Sequence, residues 1–218
     1  MRIVAITDIH GRSGKAERLG RTLEDMEFDL LLIAGDLTNF QGRDKAGEIL
    51  GHFLSLQKPV FSVFGNCDGR DVPALLEELG INVHNRRVEV GGVSIVGVGG
   101  SNITPFHTVW ELTEAKIREI LLKNYREGDV ILSHAPPHGT RADRAHFGTH
   151  VGSRALREFI EERKPPLVVC GHIHEARSVD RIGDTVIVNP GPLFRGHYAV
   201  IEFEENEKRV KNVELLRL

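Results

Sequence analysis

The sequence predicts an α/β fold in which two stacked mixed sheets carry helices on their outer faces. Three observations lead there. The first half of the 218-residue chain alternates short apolar runs with amphipathic segments, the pattern of parallel strands joined by helical crossovers. The tail is strand-like throughout, and its strands are too many for one small sheet. No linker, internal repeat or low-complexity tract interrupts the chain, so a single domain over residues 1–218 is the economical organisation.

Taken in order, Ile3–Thr7, Leu30–Ala34 and Val60–Phe64 have the length and composition of buried strands. Lys15–Glu27 and Arg43–Leu56 lie between them. Leu19, Leu23 and Met26 mark one face of the first helix; Ile49, Leu50, Phe53 and Leu54 mark one face of the second. Val72–Leu79 reads as a third helix. Gly91-Gly92 then separates Arg87–Val90 from Val93–Val98, a two-residue hairpin signal. Glu111–Tyr125 reads as one helix, Val130–Ser133 as a strand, Ser153–Arg163 as a helix and Leu167–Cys170 as a strand. Ala176–Ile182 and Thr185–Asn189 flank a Gly183-Asp184 turn, and Tyr198–Glu204 and Arg209–Leu215 complete the tail.

Composition excludes several classes. Hydrophobic residues at 40% and charged residues at 27% exclude a disordered, collagen-like or membrane-spanning chain. The net charge of −3 makes nucleic acid an unlikely partner. Cys67 and Cys170 are too few for a disulfide scaffold, and no apolar leader precedes the first strand, so a cytoplasmic location away from membranes is expected. Glutamine occurs only at 41 and 57 amid abundant Glu, Lys and Arg, which leans towards a thermophilic source.

The chemistry lies at strand ends. Asp8 and His10 follow the first strand, Gly35-Asp36 the second and Gly65-Asn66-Cys67-Asp68 the third. His134 follows Val130–Ser133, and Gly171-His172-Ile173-His174 follows Leu167–Cys170. Ligand sites of α/β sheets form outside the carboxyl ends of strands, so five such ends converge. One Asp-x-His or Gly-His-x-His alone is usually a cap or a core hydrogen bonder; five in this order are not a coincidence of composition. Seven candidates (Asp8, His10, Asp36, Asn66, His134, His172, His174) exceed the needs of one tetrahedral ion and suit two divalent ions sharing a carboxylate, for which Asp36 is the choice. Carboxylate, imidazole and amide oxygen suit manganese, the first choice, with iron, zinc, nickel and magnesium open. His172 and His174 reach one site only if the chain turns after Gly171.

Together Asp8-Ile9-His10, Gly35-Asp36, Gly65-Asn66, Ser133-His134 and Gly171-His172-Ile173-His174 resemble the signature of the calcineurin-like metallophosphoesterases, with Asn189-Pro190-Gly191 resembling an element of the small bacterial and archaeal members. The resemblance implies a four-layer α/β/β/α sandwich. It implies one ion on Asp8, His10, Asp36 and His174, and the other on Asp36, Asn66, His134 and His172. It implies hydrolysis of small phosphoesters or nucleotides, phosphodiesters first, by a metal-activated hydroxide. A phosphomonoesterase, or a non-catalytic binding scaffold such as the retromer subunit of similar fold, stays open, as does a homo-oligomer. Many members carry histidine after the asparagine; this chain resembles the subgroup with Gly-Asn-Cys-Asp, which places Cys67 beside Asn66 in the pocket and leaves the general acid in question.

Residues 136–152 form a long loop after a ligand strand. Arg141 or Arg144 would meet phosphate there, and His150 would be a spare proton donor, which makes it a catalytic candidate with Asn66 and Cys67, although a thiol is a poor acid at neutral pH. Gly97–Asn102 lacks the Walker lysine and reads as a tight loop. Phe106, His107 and Trp110 are expected to pack against it, and Cys170 to be a buried core residue.

Overall fold

The computed structural model describes residues 1–218 except the side chain of Phe147. Strands β1 (Arg2–Ile6), β2 (Leu30–Ala34) and β3 (Val60–Val63) pair in parallel, connected by α1 (Ser13–Glu24) and α2 (Arg43–Leu54). Two strands come from the far end of the chain: β12 (His197–Glu204) pairs antiparallel with β1, and β13 (Arg209–Arg217) antiparallel with β12, which gives the order β13-β12-β1-β2-β3. The second sheet takes β4 (Arg87–Val90), β5 (Val93–Val98), β8 (Val130–Ser133), β9 (Leu167–Val169), β10 (Ser178–Ile182) and β11 (Thr185–Asn189), ordered β10-β11-β9-β8-β5-β4. Both are mixed, as expected. A small parallel pair, β6 (Ser101–Asn102) with β7 (Glu111–Leu112), stands apart.

The layering follows from period-two alternation in strands buried on both faces. Ile3, Ala5, Leu30 and Leu32 point into a core shared with Ile95, Leu132, Val169 and Val188 of the second sheet. Val4, Ile6, Leu31 and Ile33 point the other way, onto Leu19 and Leu23 of α1 and Ile49 and Phe53 of α2, with α3 (Val72–Glu78) alongside. The outer face of the second sheet packs Val96, Ile131 and Val168 on α4 (Glu114–Asn124) and α5 (Arg154–Arg163). Helices, sheet, sheet and helices thus stack in four layers. Each fully buried Leu or Ile contributes roughly 1.5–3 kcal/mol.

One expected element divides. Residues 111–125 are not one helix: Glu111 and Leu112 pair with Ser101 and Asn102, and α4 begins only after Thr113. The Thr113 hydroxyl accepts from the Lys116 N–H and caps the helix, while the Glu111 carboxylate accepts bonds from Thr104 and Thr108. Ser153 likewise caps α5 rather than lying inside it. Cys170 is fully buried, whereas Phe106, expected to pack, is 81% exposed. Trp110 does pack, its ring centroid 5.0 Å from that of Phe64. Among the described residues, no helix is long and apolar enough to cross a membrane.

Candidate metal centre

The carboxyl ends of β1, β2, β3, β8 and β9 meet where the two sheets abut. One bond closes the seam: His134, just past β8, reaches the Ala34 carbonyl of β2 at 2.6 Å through Nδ1. The chain leaves these strands under strain. Asp8, His10, Asp36 and His172 adopt φ of +52°, +49°, +50° and +69°. Left-handed backbone at non-glycine residues costs about 1–3 kcal/mol each and persists where the surroundings over-determine it. Two glycines permit the crowding. A side chain at Gly65 would collide with Asp36, and one at Gly171 with Thr7 and Asp8.

Side-chain geometry divides each carboxylate into a tied and a free oxygen. Asp8 Oδ2 accepts from the Thr7 hydroxyl at 2.8 Å and from the His172 N–H at 3.0 Å. Its Oδ1 is buried without a hydrogen-bond partner and lies 3.3 Å from His174 Nε2 and 3.7 Å from His10 Nε2. Asp36 Oδ1 accepts from the Cys67 N–H at 2.8 Å, and its Oδ2 sits 3.5 Å from both His10 Nε2 and His134 Nε2. Asn66 Oδ1 faces His134 Nε2 at 2.9 Å, and His10 Nε2 faces His174 Nε2 at 3.0 Å.

Such an arrangement has more acceptors than protons. With Nδ1–H given to Ala34, neutral His134 turns a lone pair at Nε2 towards Asn66 Oδ1, another acceptor. A cation between them resolves the conflict. Asp8, His10 and His174 form one group able to hold a metal, and Asp8, Asp36 and His134 a second. Asp8 is common to both, while Asp36, the expected bridge, stands between their histidines. His172 and His174 diverge: the ring of His174 lies 4.9 Å from that of His10, and the ring of His172 lies 5.1 Å from that of His134.

Charge tells the same story. Burial alone would raise the Asp8 carboxyl, but His10 and His174 hold it well below the usual range. Burial likewise opposes ionisation of Asp36, and His134 outweighs it. Burial disfavours an imidazolium at His134, yet without an ion Asp36 and Asp8 push it up to about 9, so a proton takes the place between these groups that a cation would fill. His172, buried beside His134, is pushed down to about 4 and is neutral, as a ligand must be. These residues fit divalent ions bound through oxygen and nitrogen.

Several neighbours only support the frame. Asp68 is fully buried and accepts from the N–H groups of Gly65 at 2.8 Å and Thr38 at 2.7 Å, tying the loops after β2 and β3 together. Burial and Asp36 raise its carboxyl to about 6. Asn189 donates to the carbonyls of Ala142 and Ile173 and so links the 136–152 loop to the His172–His174 turn. Cys67 lies beside Asn66, whose Nδ2 is 3.4 Å from its sulfur, and burial with Asp36 pushes the thiol far up. His150 Nδ1 meets Asp143 at 2.6 Å, and Arg144 lies against Gly148. Thr7, Thr108 and Glu111 escape a reading of strand ends, because their contribution is made through other side chains. A groove of about 450 Å³ opens beside His10 and His174, lined also by Gly11, Arg12, Asn39, Gln41 and Phe194.

The model of the family described as "Calcineurin-like phosphoesterase" matches residues 1–176. This chain belongs to that family. Calcineurin-like phosphoesterases are hydrolases of phosphoesters, and the Asp/His clusters described above are its candidate metal-binding residues. A relative in Methanocaldococcus jannaschii, the uncharacterized protein MJ1162, is 39% identical over 200 residues, 88% of each chain. Among solved structures, a dimetal phosphatase from Danio rerio superposes with a TM-score of 0.63 at 10% identity, over 100% of this chain and 98% of that one. An archaeal phosphodiesterase superposes at 0.57 and 15% identity over 100% of both chains. At these identities the two structures show the shared calcineurin-like phosphoesterase fold.

Proposed function

We propose that this chain is a two-metal phosphodiesterase acting on small phosphodiesters or nucleotides. One observation carries the reading: two buried carboxylates each have one oxygen held by protein donors and the other turned towards the nitrogens of histidine rings. One ion would rest on Asp8, His10, Asp36 and His174, the other on Asp36, Asn66, His134 and His172. Two ions, manganese first, would acidify a water and neutralise charge on the transferring phosphoryl group.

The chain's own residues prepare that chemistry. Thr7 and the His172 N–H orient Asp8, the Cys67 N–H orients Asp36, and Ala34 fixes the His134 tautomer. His150, whose Nδ1 meets the buried Asp143 carboxylate at 2.6 Å, would be a spare proton donor. The Cys67 thiol, pushed up by burial and Asp36, is a poor acid at neutral pH. With that thiol where many family members carry histidine, phosphodiesters with good leaving groups should do best. Arg141 and Arg144 are the proposed phosphate contacts of the 136–152 loop. All seven ligand candidates stand, which favours catalysis over a scaffold role. The test is to strip the protein with a chelator and restore it with Mn²⁺ on paired aryl phosphodiester and phosphomonoester substrates. Restored turnover with the diester faster supports the proposal; full metal loading without turnover on either favours the scaffold.

A further inference from the structure

The hydrogen bonds behind Asn66 run in one direction only. Glu111 Oε1 accepts from the Thr108 hydroxyl at 2.8 Å, the Thr108 N–H at 2.8 Å and the Thr104 hydroxyl at 2.6 Å. A threonine hydroxyl carries one proton. With that proton donated to Glu111, the Thr108 oxygen can only accept, and Asn66 Nδ2 donates to it at 3.0 Å. The amide end of Asn66 is therefore settled on the Thr108 side, and its Oδ1 on the side of His134. Two further bonds hold the same loop to Asn66: the N–H groups of Val109 and Trp110 reach its carbonyl at 3.0 and 3.3 Å. Pairing of β6 with β7 places Glu111 for this contact. Burial opposes the ionised Glu111, but its bonds from Thr104 and Thr108 hold it down at about 2, so the acceptor end stays a carboxylate at neutral pH.

We propose that Glu111 and Thr108 are positioning residues that fix the Asn66 side chain with its oxygen towards the metal centre. The inference rests on the two-metal reading above. An asparagine is a ligand through its oxygen, and free rotation of the amide would present the NH₂ group, a donor, to a cation about half the time. Outer partners of this kind commonly account for about 10–100-fold in metal affinity.

The test titrates the metal-free full chain with Mn²⁺ by calorimetry and follows its thermal unfolding without metal. Thr108→Val keeps the shape and removes the hydroxyl. It is expected to weaken one of the two ions by about 10–100-fold and leave the other. Thr108→Ser restores the hydroxyl and is expected to bind as wild type does. Glu111→Gln, which lets an NH₂ group face Thr108 and reverse the chain of bonds, is expected to act as Thr108→Val does and carries the test should that variant not fold. Wild-type affinity for both ions in Thr108→Val or Glu111→Gln overturns the positioning role alone. A loss that Thr108→Ser does not restore assigns the effect to packing and also overturns it. A wild-type protein that binds no ion overturns the two-metal reading and this inference with it.

Discussion

At the carboxyl ends of β1, β2, β8 and β9 the groove is small, about 450 Å³, and is lined by His10 and His174, against whose rings the buried carboxylates of Asp8 and Asp36 lie. At the amino ends of β8, β9 and β11 lies a larger hollow of about 810 Å³, lined by charged residues such as Glu127, Lys164, Arg181, Asp184, Lys208 and Arg209. The charges there are solvated and mutually paired: Arg209 bridges Glu204 at 2.7 Å and Glu207 at 2.8 Å, and Lys208 reaches the Glu127 carbonyl at 3.3 Å. Exposed pairs of this type contribute about 0–1 kcal/mol and ask for no ligand. Asp8 and Asp36 are 1% and 2% exposed, and a buried charge needs a compensating one. What marks the functional end is the cost of its charges, not the size of its hollow.

The sharpest way to break this comparison is to remove charge at each end. Asp36→Asn is expected to lose at least one ion and to reduce turnover on an aryl phosphodiester by more than about a thousandfold, or about 4 kcal/mol of barrier. Arg181→Ala with Lys208→Ala at the opposite end is expected to stay within about twofold, as exposed charges do. Comparable losses from the two would erase the distinction drawn between the ends.

A second test separates a structural histidine from the site's own. His84 accepts from the Gly99 N–H at 2.8 Å and packs on Phe64 at 4.7 Å, and burial, helped by Lys116, pushes it down to about 4. Its folded value lies below the unfolded value of about 6.5, so the unfolded chain binds more protons between the two. Stability from His84 is therefore present above pH about 6.5 and lost as pH falls towards about 4, by at most about 3 kcal/mol. Urea unfolding of wild type and His84→Gln across that window should show the wild-type advantage shrinking on acidification. A difference that does not change with pH contradicts the assignment.

Within the candidate centre the smallest effect belongs to Cys67, next to a ligand candidate yet with a thiol that holds its proton tightly. Cys67→Ala should keep both ions and lose less than about tenfold on an aryl phosphodiester, under about 1.4 kcal/mol. Cys67→His should raise activity on poor leaving groups, where an imidazolium helps most. A loss above about a hundredfold in Cys67→Ala with both ions retained would make Cys67 a catalytic residue.

Much of this was legible in the residues themselves. Buried parallel strands such as Leu30–Ala34 announce themselves as unbroken apolar runs, and ligands at strand ends follow directly once the strands are placed. The turn at Gly171 was legible too, since two histidines two residues apart cannot share a site on a continuing strand. Glu111 was not. Its apolar neighbours suit the start of a helix, and only pairing with Ser101–Asn102, a contact between distant short segments, draws it into a strand. Thr7, Thr108 and Asp68 act through hydrogen bonds set by tertiary structure, which no spacing encodes. Nor does spacing reveal that Asp8, as well as Asp36, lies within reach of both groups of histidines.

The central claim is that buried carboxylates at the carboxyl ends of these strands exist to hold two ions. Elemental analysis of the purified chain, titrated with Mn²⁺ after chelation while turnover is recorded, tests it most directly. The expected result is two ions per chain, with activity rising as the second binds. Full activity at one ion per chain, or with none, would contradict the account.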